Sequence, residues 1–144
     1  AEEFLARAAK AKGAKKKDSG LIYTQVEKGS GDKATTADVV KVHYTGTLID
    51  GTVFDSSVER GEPATFALHD VIPCWAEALQ LMKAGGKAKL VCPAELAYGE
   101  RGMLPKIKPG AALVFDVELL EIEKGTAPKP SNPDSDYYHD LGER

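Results

Sequence analysis

The stretch Val71-Ile72-Pro73-Cys74-Trp75-Ala76-Glu77-Ala78-Leu79-Gln80-Leu81-Met82-Lys83-Ala84-Gly85-Gly86 constrains the fold more than any other part of the chain. It reads as one substantial helix. Pro73 suits the first helical position, where its missing N–H is not needed. Gly85-Gly86 suits the exit, where a left-handed cap strains any residue but glycine. Trp75, Leu79 and Met82 follow the i, i+4, i+7 rule and share one apolar stripe. The segments on both sides read as strands, and a lone helix between strands must bury its stripe against a sheet. Trp75, the only tryptophan, falls on the first turn, where it is either plain core or the floor of a cavity.

Residues 1–17 are rich in Ala and Lys, both good helix formers. Their apolar stripe (Phe4, Leu5, Ala8, Ala9, Ala11) is too thin for a dimer seam by itself. The basic end, Lys10 to Lys17, reads as a solvated face or as the stub of a longer helix, and Asp18-Ser19-Gly20 ends it. Leu21 to Val26 reads as a strand and Gly29-Ser30-Gly31-Asp32 as a turn. Val39 to Leu48 is a longer strand, with Val40, Val42 and Tyr44 on one face and Val39, Lys41 and His43 on the other. Asp50-Gly51 is a tight-hairpin signal, and Val53-Phe54 begins a return strand that Asp55-Ser56-Ser57 ends or bulges. Arg60-Gly61-Glu62-Pro63 reads as a loop, Ala64, Phe66 and Leu68 as a short strand, and Asp70 as the helix cap. Beyond the helix, Lys87 to Cys92 alternates with Ala88, Leu90 and Cys92 inward, and Pro93 stops it. Residues 94–111 have no period, and a loop of that length in a compact domain is often functional. Ala112 to Glu123 is the last strand, with Leu113, Phe115, Val117 and Leu119 inward. Gly125 to Arg144, rich in Pro, Asp and Ser, reads as a disordered tail. The fold class is α+β, a mostly antiparallel sheet of five or six strands wrapped on one short helix, with an N-terminal helix. Three regions are expected: 1–20 as the end of a helical region, 21–124 as the domain, and 125–144 as the tail.

A net charge of −3 offers no basic excess for nucleic acid. No run approaches the roughly 18 apolar residues of a membrane span. Cys74 and Cys92 are too few for a disulfide framework and lack zinc-ligand spacing. Each reads as a small buried residue. Because a helix start and an inward strand position could face each other, the two are expected close in space, with pairing left open. The catalytic kits are incomplete: no Gly-x-Ser-x-Gly elbow and no phosphate-binding Gly-Lys-Ser or Gly-Lys-Thr occurs. His43, His69 and His139 are scattered, and Glu118 and Glu121 read as the solvent face of a strand. Neither a cofactor nor a metal is expected. What remains is an aromatic cavity of Tyr44, Phe54, Trp75 and Phe115, joined by Tyr98 from the long loop, with one acid, Asp55. Such a cavity binds an apolar group and offers little for bond-breaking.

Five segments in order carry a family resemblance. They are Val42-His43-Tyr44-Thr45-Gly46, Asp50 to Ser57, Val71-Ile72-Pro73-Cys74-Trp75, Ala97-Tyr98-Gly99 and Val114 to Leu120. Together they resemble the FKBP-type peptidyl-prolyl cis-trans isomerases through about residues 21–123. Ser19-Gly20-Leu21-x-Tyr23 after a Lys-rich helix is similar to the Mip-like (macrophage infectivity potentiator) branch. The resemblance implies a half-barrel sheet around a short helix, with Asp55 and Tyr98 as catalytic residues. It implies a proline pocket lined by Tyr44, Phe54, Arg60, Phe66, Val71, Ile72, Trp75, Met103, Ile107 and Phe115. The implied partners are proline-containing polypeptides and rapamycin-like macrolides. Also implied are a location in the periplasm or cell envelope, with the cytoplasm as the alternative, and a full-length homodimer built through a longer N-terminal helix. Three departures bear on substrate preference: Cys74 where the family has glycine, Ala64 where many members have an aromatic, and the basic run Met103 to Pro109.

Isomerising an Xaa-Pro bond breaks no bond. The barrier, about 18–20 kcal/mol, is amide resonance, and the enzyme need only bind the twisted amide better than either planar form. An aromatic cavity does this because the planar amide is the more polar. Tyr98 would donate its hydroxyl to a carbonyl near the proline. Asp55 would face the twisted carbonyl or hold the pocket through Tyr44 and Arg60. The rival is a non-catalytic peptide-binding or chaperone module using the same cavity, and a third reading is an assembly domain working through the N-terminal helix.

Overall fold

The structure, a computed structural model, describes residues 2–103 and 106–125. The expected tail, with His139, lies outside the described residues from 126 on. The elements are α1 (Glu2–Ala9), β1 (Ala14–Lys16), β2 (Ile22–Glu27), β3 (Ser30–Lys33), β4 (Val39–Leu48), β5 (Val53–Ser56), α2 (Ser57–Arg60), β6 (Ala64–Ala67), α3 (Pro73–Leu79), β7 (Lys83–Ala84), β8 (Lys87–Cys92) and β9 (Leu113–Glu123). Short 3₁₀ turns cover Leu68–Asp70 and Ala94–Leu96.

The main sheet is antiparallel and runs β1-β2-β8-β9-β4-β5, with β6 also pairing β4. All six strands read from the sequence are present, and β1 makes a seventh. The central pair is β4 and β9, in register from Val39 opposite Glu123 to Leu48 opposite Leu113, with one shift between Lys41 and Val42. β4 serves two further partners on its other edge, β5 opposite residues 45–47 and β6 opposite residues 39–42. The inward positions of the long strands, Val40, Val42, Tyr44, Leu90, Phe115, Val117 and Leu119, are buried in one core with Trp75, Leu79 and Met82 from the helix side. The two-residue alternation that a half-buried strand imposes therefore held across β4, β8 and β9.

Four local expectations are corrected. α3 begins at Pro73 as the proline requires, but ends at Leu79 instead of running to Gly85. Beyond it the backbone is taken by sheet partners: Lys83–Ala84 pairs with β3, Gly85 N donates to Leu119 O at 2.7 Å, and Leu119 N donates to Gly86 O at 3.0 Å. These long-range bonds outweigh the helix propensity of Leu81-Met82-Lys83-Ala84. For the same reason Ser30–Lys33 is a strand and not a turn. Asp70 does not cap α3, whose N-cap residue Ile72 makes no side-chain bond; Asp70 Oδ1 lies 2.7 Å from His69 Nδ1 instead. The N-terminal helix stops at Ala9, and Ala14–Lys16 turns back to pair with β2.

That return brings α1 onto the outer face of the sheet. Val91, which the alternation points away from the main core, is buried there with Ile22 and Val114 under Phe4, Leu5, Ala8 and Ala9. Cys74 and Cys92 are joined in a disulfide with Cα atoms 5.9 Å apart. Both are fully buried, so the bond ties the first turn of α3 to the inner face of β8 beside Trp75.

Candidate functional site

Trp75 stands at the centre of the site. Its ring meets Tyr44 at 5.0 Å and 83°, Phe66 at 5.5 Å and 85°, and Phe115 at 5.4 Å and 85°, all edge-to-face. Phe54 meets Phe115 in the same way at 5.6 Å and 82°. Edge-to-face contacts set the positive ring edge against the negative face, which fixes geometry as well as burying area. Five elements supply these rings: β4, β5, β6 and α3, which follow one another in the chain, and β9, which joins them from residues 113–123 through the sheet. Trp75 Nε1 is, among the described residues, the one buried side-chain polar atom without a hydrogen-bond partner.

At the rim of this aromatic bed lies a carboxylate clamp. Tyr44 Oη donates to Asp55 Oδ2 at 2.5 Å, Arg60 Nη1 donates to Asp55 Oδ1, and Arg60 Nη2 donates to Tyr44 Oη at 3.2 Å. The guanidinium also lies over the Tyr44 ring, 5.7 Å from its centre. α2 makes this possible. Ser56 caps the helix by accepting Glu59 N–H at 3.2 Å, and Gly61, at φ 82°, closes it by donating to Ser57 O and Val58 O. One turn thus carries Arg60 back to the carboxylate at Asp55. The sequence reads Ser57 as the end or bulge of the return strand and Arg60 to Pro63 as a loop, with no helix between; a cap serine followed by a closing glycine four residues past Ser57 was the available signal.

Electrostatics keep the donors in their donating forms. Burial, reinforced by the bond to Asp55 and opposed by Arg60, pushes Tyr44 up to about 12. Tyr98 is raised well above the usual tyrosine value, chiefly by burial, then by the negative charge of Asp55 and, at high pH, of ionised Tyr44. Arg60 is held above its ordinary value, first by its bond to Tyr44. Both phenols therefore stay protonated through neutral pH, and Asp55 works as an acceptor already engaged by two donors.

The residues expected to line the pocket fall into one assembly. Tyr44, Phe54, Phe66, Val71, Ile72, Trp75, Tyr98, Ile107 and Phe115 belong to a single buried cluster, and Met103 packs against it. Met103 and Ile107 bridge the long loop through Met103 N to Ile107 O at 2.7 Å and Ile107 N to Met103 O at 2.9 Å. Asp55 and Arg60 sit at the edge, partly exposed. The sequence reads Gly46 and Ser57 only as parts of strands, and Lys106 only as part of the basic run 103–109. A Cβ on Gly46 would fall 2.6 Å from Phe54 and 2.9 Å from Phe115, so only glycine lets those rings close over β4. Its signal was a glycine inside a strand pattern. Ser57, fully buried, accepts Tyr44 N–H at 2.8 Å and lies 2.8 Å from His43 Nδ1. Lys106 Nζ donates to Phe54 O at 3.2 Å. No group of three or more His, Cys, Asp or Glu that could hold a metal occurs among the described residues.

The sequence profile of the FKBP-type peptidyl-prolyl cis-trans isomerases matches residues 31–120. The FKBP-type peptidyl-prolyl cis-trans isomerase FkpA of Aeromonas hydrophila is 61% identical over 127 residues, covering 88% of this chain and 47% of that protein. The outer membrane protein MIP of Legionella longbeachae is 50% identical over 106 residues, covering 74% of this chain and 46% of that protein. The crystal structure of FkpA from Escherichia coli superposes with a TM-score of 0.82 at 52% identity, covering 85% of this chain and 57% of that one. The chain thus spans about half the length of the curated relatives it matches. With the fold, the five ordered segments and these matches in agreement, the chain belongs to the FKBP-type peptidyl-prolyl cis-trans isomerase family.

Proposed function

We propose that the protein is a peptidyl-prolyl cis-trans isomerase that speeds Xaa-Pro isomerisation in folding polypeptides. The observation that carries this is the clamp of Asp55 by Tyr44 and Arg60 on the edge of an aromatic bed floored by Trp75. A carboxylate held so firmly is unsuited to proton transfer and well suited to presenting a fixed dipole. The proline ring lies against Trp75 and is walled by Tyr44, Phe54, Ile72 and Phe115. The low-polarity bed favours the twisted, less polar amide over both planar forms. Tyr98, protonated and facing the field of Asp55, donates to a carbonyl beside the proline. Lowering the barrier by about 6 kcal/mol supplies roughly four decades of rate.

Residues 21–124 form the catalytic unit, and α1 packs on its outer face. Rapamycin-like macrolides, whose pipecolyl ring imitates proline, occupy the same bed. A cell-envelope location, in the periplasm, is supported by the buried disulfide, which persists in oxidising compartments, and by the outer-membrane name of the Legionella relative. A full-length dimer would be carried by sequence ahead of this chain's α1.

The test is isomerisation of an apolar-Xaa-Pro peptide by wild type, Asp55→Ala and Tyr98→Phe, with ligand affinity followed through Trp75 fluorescence. Expected is catalysis by wild type, with kcat and kcat/KM falling together in both variants. Wild type that binds the peptide yet turns it over no faster than the uncatalysed reaction would establish the binding-module reading instead. A fully active Asp55→Ala would make the clamp structural and leave the bed alone as the catalyst.

A further inference from the structure

We propose that the cleft between the tip of the β4–β5 hairpin and residues 106–112 receives the stretch of client polypeptide flanking the proline and selects for an acidic side chain in it. This rests on the isomerase reading above. The cleft measures about 330 Å³ and lies among Leu48, Ile49, Lys106, Lys108, Pro109 and Ala111. Lys106 ties it to the aromatic bed: the ammonium is anchored on Phe54 O, the carbonyl immediately before Asp55, and retains two further N–H donors. Ile49 is 44% exposed at the hairpin tip, and Val53 on the same hairpin is 41% exposed. An extended chain leaving the proline bed in this direction would cover apolar surface that otherwise meets water.

Charge sets the preference. The cleft carries two ammonium groups, Lys106 and Lys108, against one carboxylate, Asp50. That carboxylate is committed to its own turn, accepting Thr52 N–H at 2.9 Å. Bonding to Thr52, with the nearby Lys108 charge as a smaller contribution, holds Asp50 below the ordinary carboxylate range. The local positive excess runs against the chain's net charge of −3. A carboxylate from the client meets complementary charge there, whereas a client lysine meets repulsion.

Isomerisation of a peptide series carrying Glu, Gln or Lys two residues before or two residues after the proline tests this. In dilute buffer kcat/KM should favour Glu over Lys about three- to fivefold at one of these positions, the scale of an exposed ion pair. The ratio should fall towards one in about 0.5 M salt and in the Lys106→Gln/Lys108→Gln double variant, and should invert in Lys108→Glu. A wild-type ratio near one at both positions would overturn the proposal, as would a ratio that survives the double variant. Amide shifts of Ile49 and Ala111 on adding the Glu peptide separate the two readings. Shifts without turnover would reject the isomerase and keep the cleft; turnover without shifts would keep the isomerase and reject the cleft.

Discussion

The two faces of the β8–β9 pair are built from neighbouring residues and held in different ways. Leu90 and Phe115 point into the concave side; Val91 and Val114 point out. On the concave side α3 sits inside the chain's path, enclosed by strands before and after it, with its first turn bonded covalently to β8. The aromatic rings there are locked edge-to-face and fully or nearly fully buried. On the outer side a terminal helix covers three residues with side chains that are themselves only half-buried. A cleft of about 320 Å³ remains beside it, between Leu5, Ala6, Ile22 and Pro93. The Arg7–Glu3 pair on α1 is almost wholly exposed and adds little. Ser19 Oγ donates to Glu77 Oε1 at 2.5 Å and is the polar tie between this annex and α3. Burial of a valine is similar on both faces, yet only the concave face is over-determined. Cooperative stability belongs to such a face, and local opening to the other.

Truncation at the centre of the concave face should show the largest effect. Phe115→Ala removes the ring that contacts both Trp75 and Phe54, and is expected to cost about 3–5 kcal/mol. Denaturant unfolding should register it as a shift of the whole transition; a loss under about 1 kcal/mol would mean that the core closes over the gap. Replacing both Cys74 and Cys92 by Ala comes next, at about 2–4 kcal/mol measured without reductant. An intact mass unchanged by alkylation before reduction checks the bond in the wild-type protein, and two freely alkylated thiols would remove the staple from the concave side. Leu5→Ala on α1 should be smallest, about 1 kcal/mol or less, because that side chain is only partly covered. Hydrogen exchange should then quicken in residues 2–16 while β4 and β9 keep their protection. If β4 and β9 lose protection as well, the annex is part of the same cooperative unit and the contrast between the faces disappears.

Much of the concave face was legible because its signals are local and periodic. Val40, Val42 and Tyr44, then Leu113, Phe115, Val117 and Leu119, follow the two-residue alternation that a sheet with one buried side imposes. Asp50-Gly51 forms the expected hairpin, with Gly51 at φ 92° and Leu48 N donating to Thr52 O at 2.9 Å. Pro73 marks the helix start, and the stripe of Trp75, Leu79 and Met82 is buried although the helix itself stops at Leu79. Tyr44, Phe54, Trp75 and Phe115 were expected on the concave side, and all four are buried in one cluster with Tyr98 from the long loop.

Tertiary structure decided what depends on a distant partner. The end of α3 follows from Leu119 and β3 claiming the backbone at residues 83–86. Ala14–Lys16 is a strand because β2 presents an edge to it. Val91 and Val114 are buried because α1 arrives from the far end of the chain. Whether Cys74 and Cys92 pair depends on a separation of 5.9 Å between residues 18 apart in sequence. The clamp on Asp55 needs Tyr44 from one strand and Arg60 from a helix of one turn. Side-chain period is a property of the strand or helix a residue sits in, so the sequence by itself could determine which residues face the core. Which backbone groups and side chains meet across the sheet depends on three-dimensional proximity, and long-range hydrogen bonds there override local propensity.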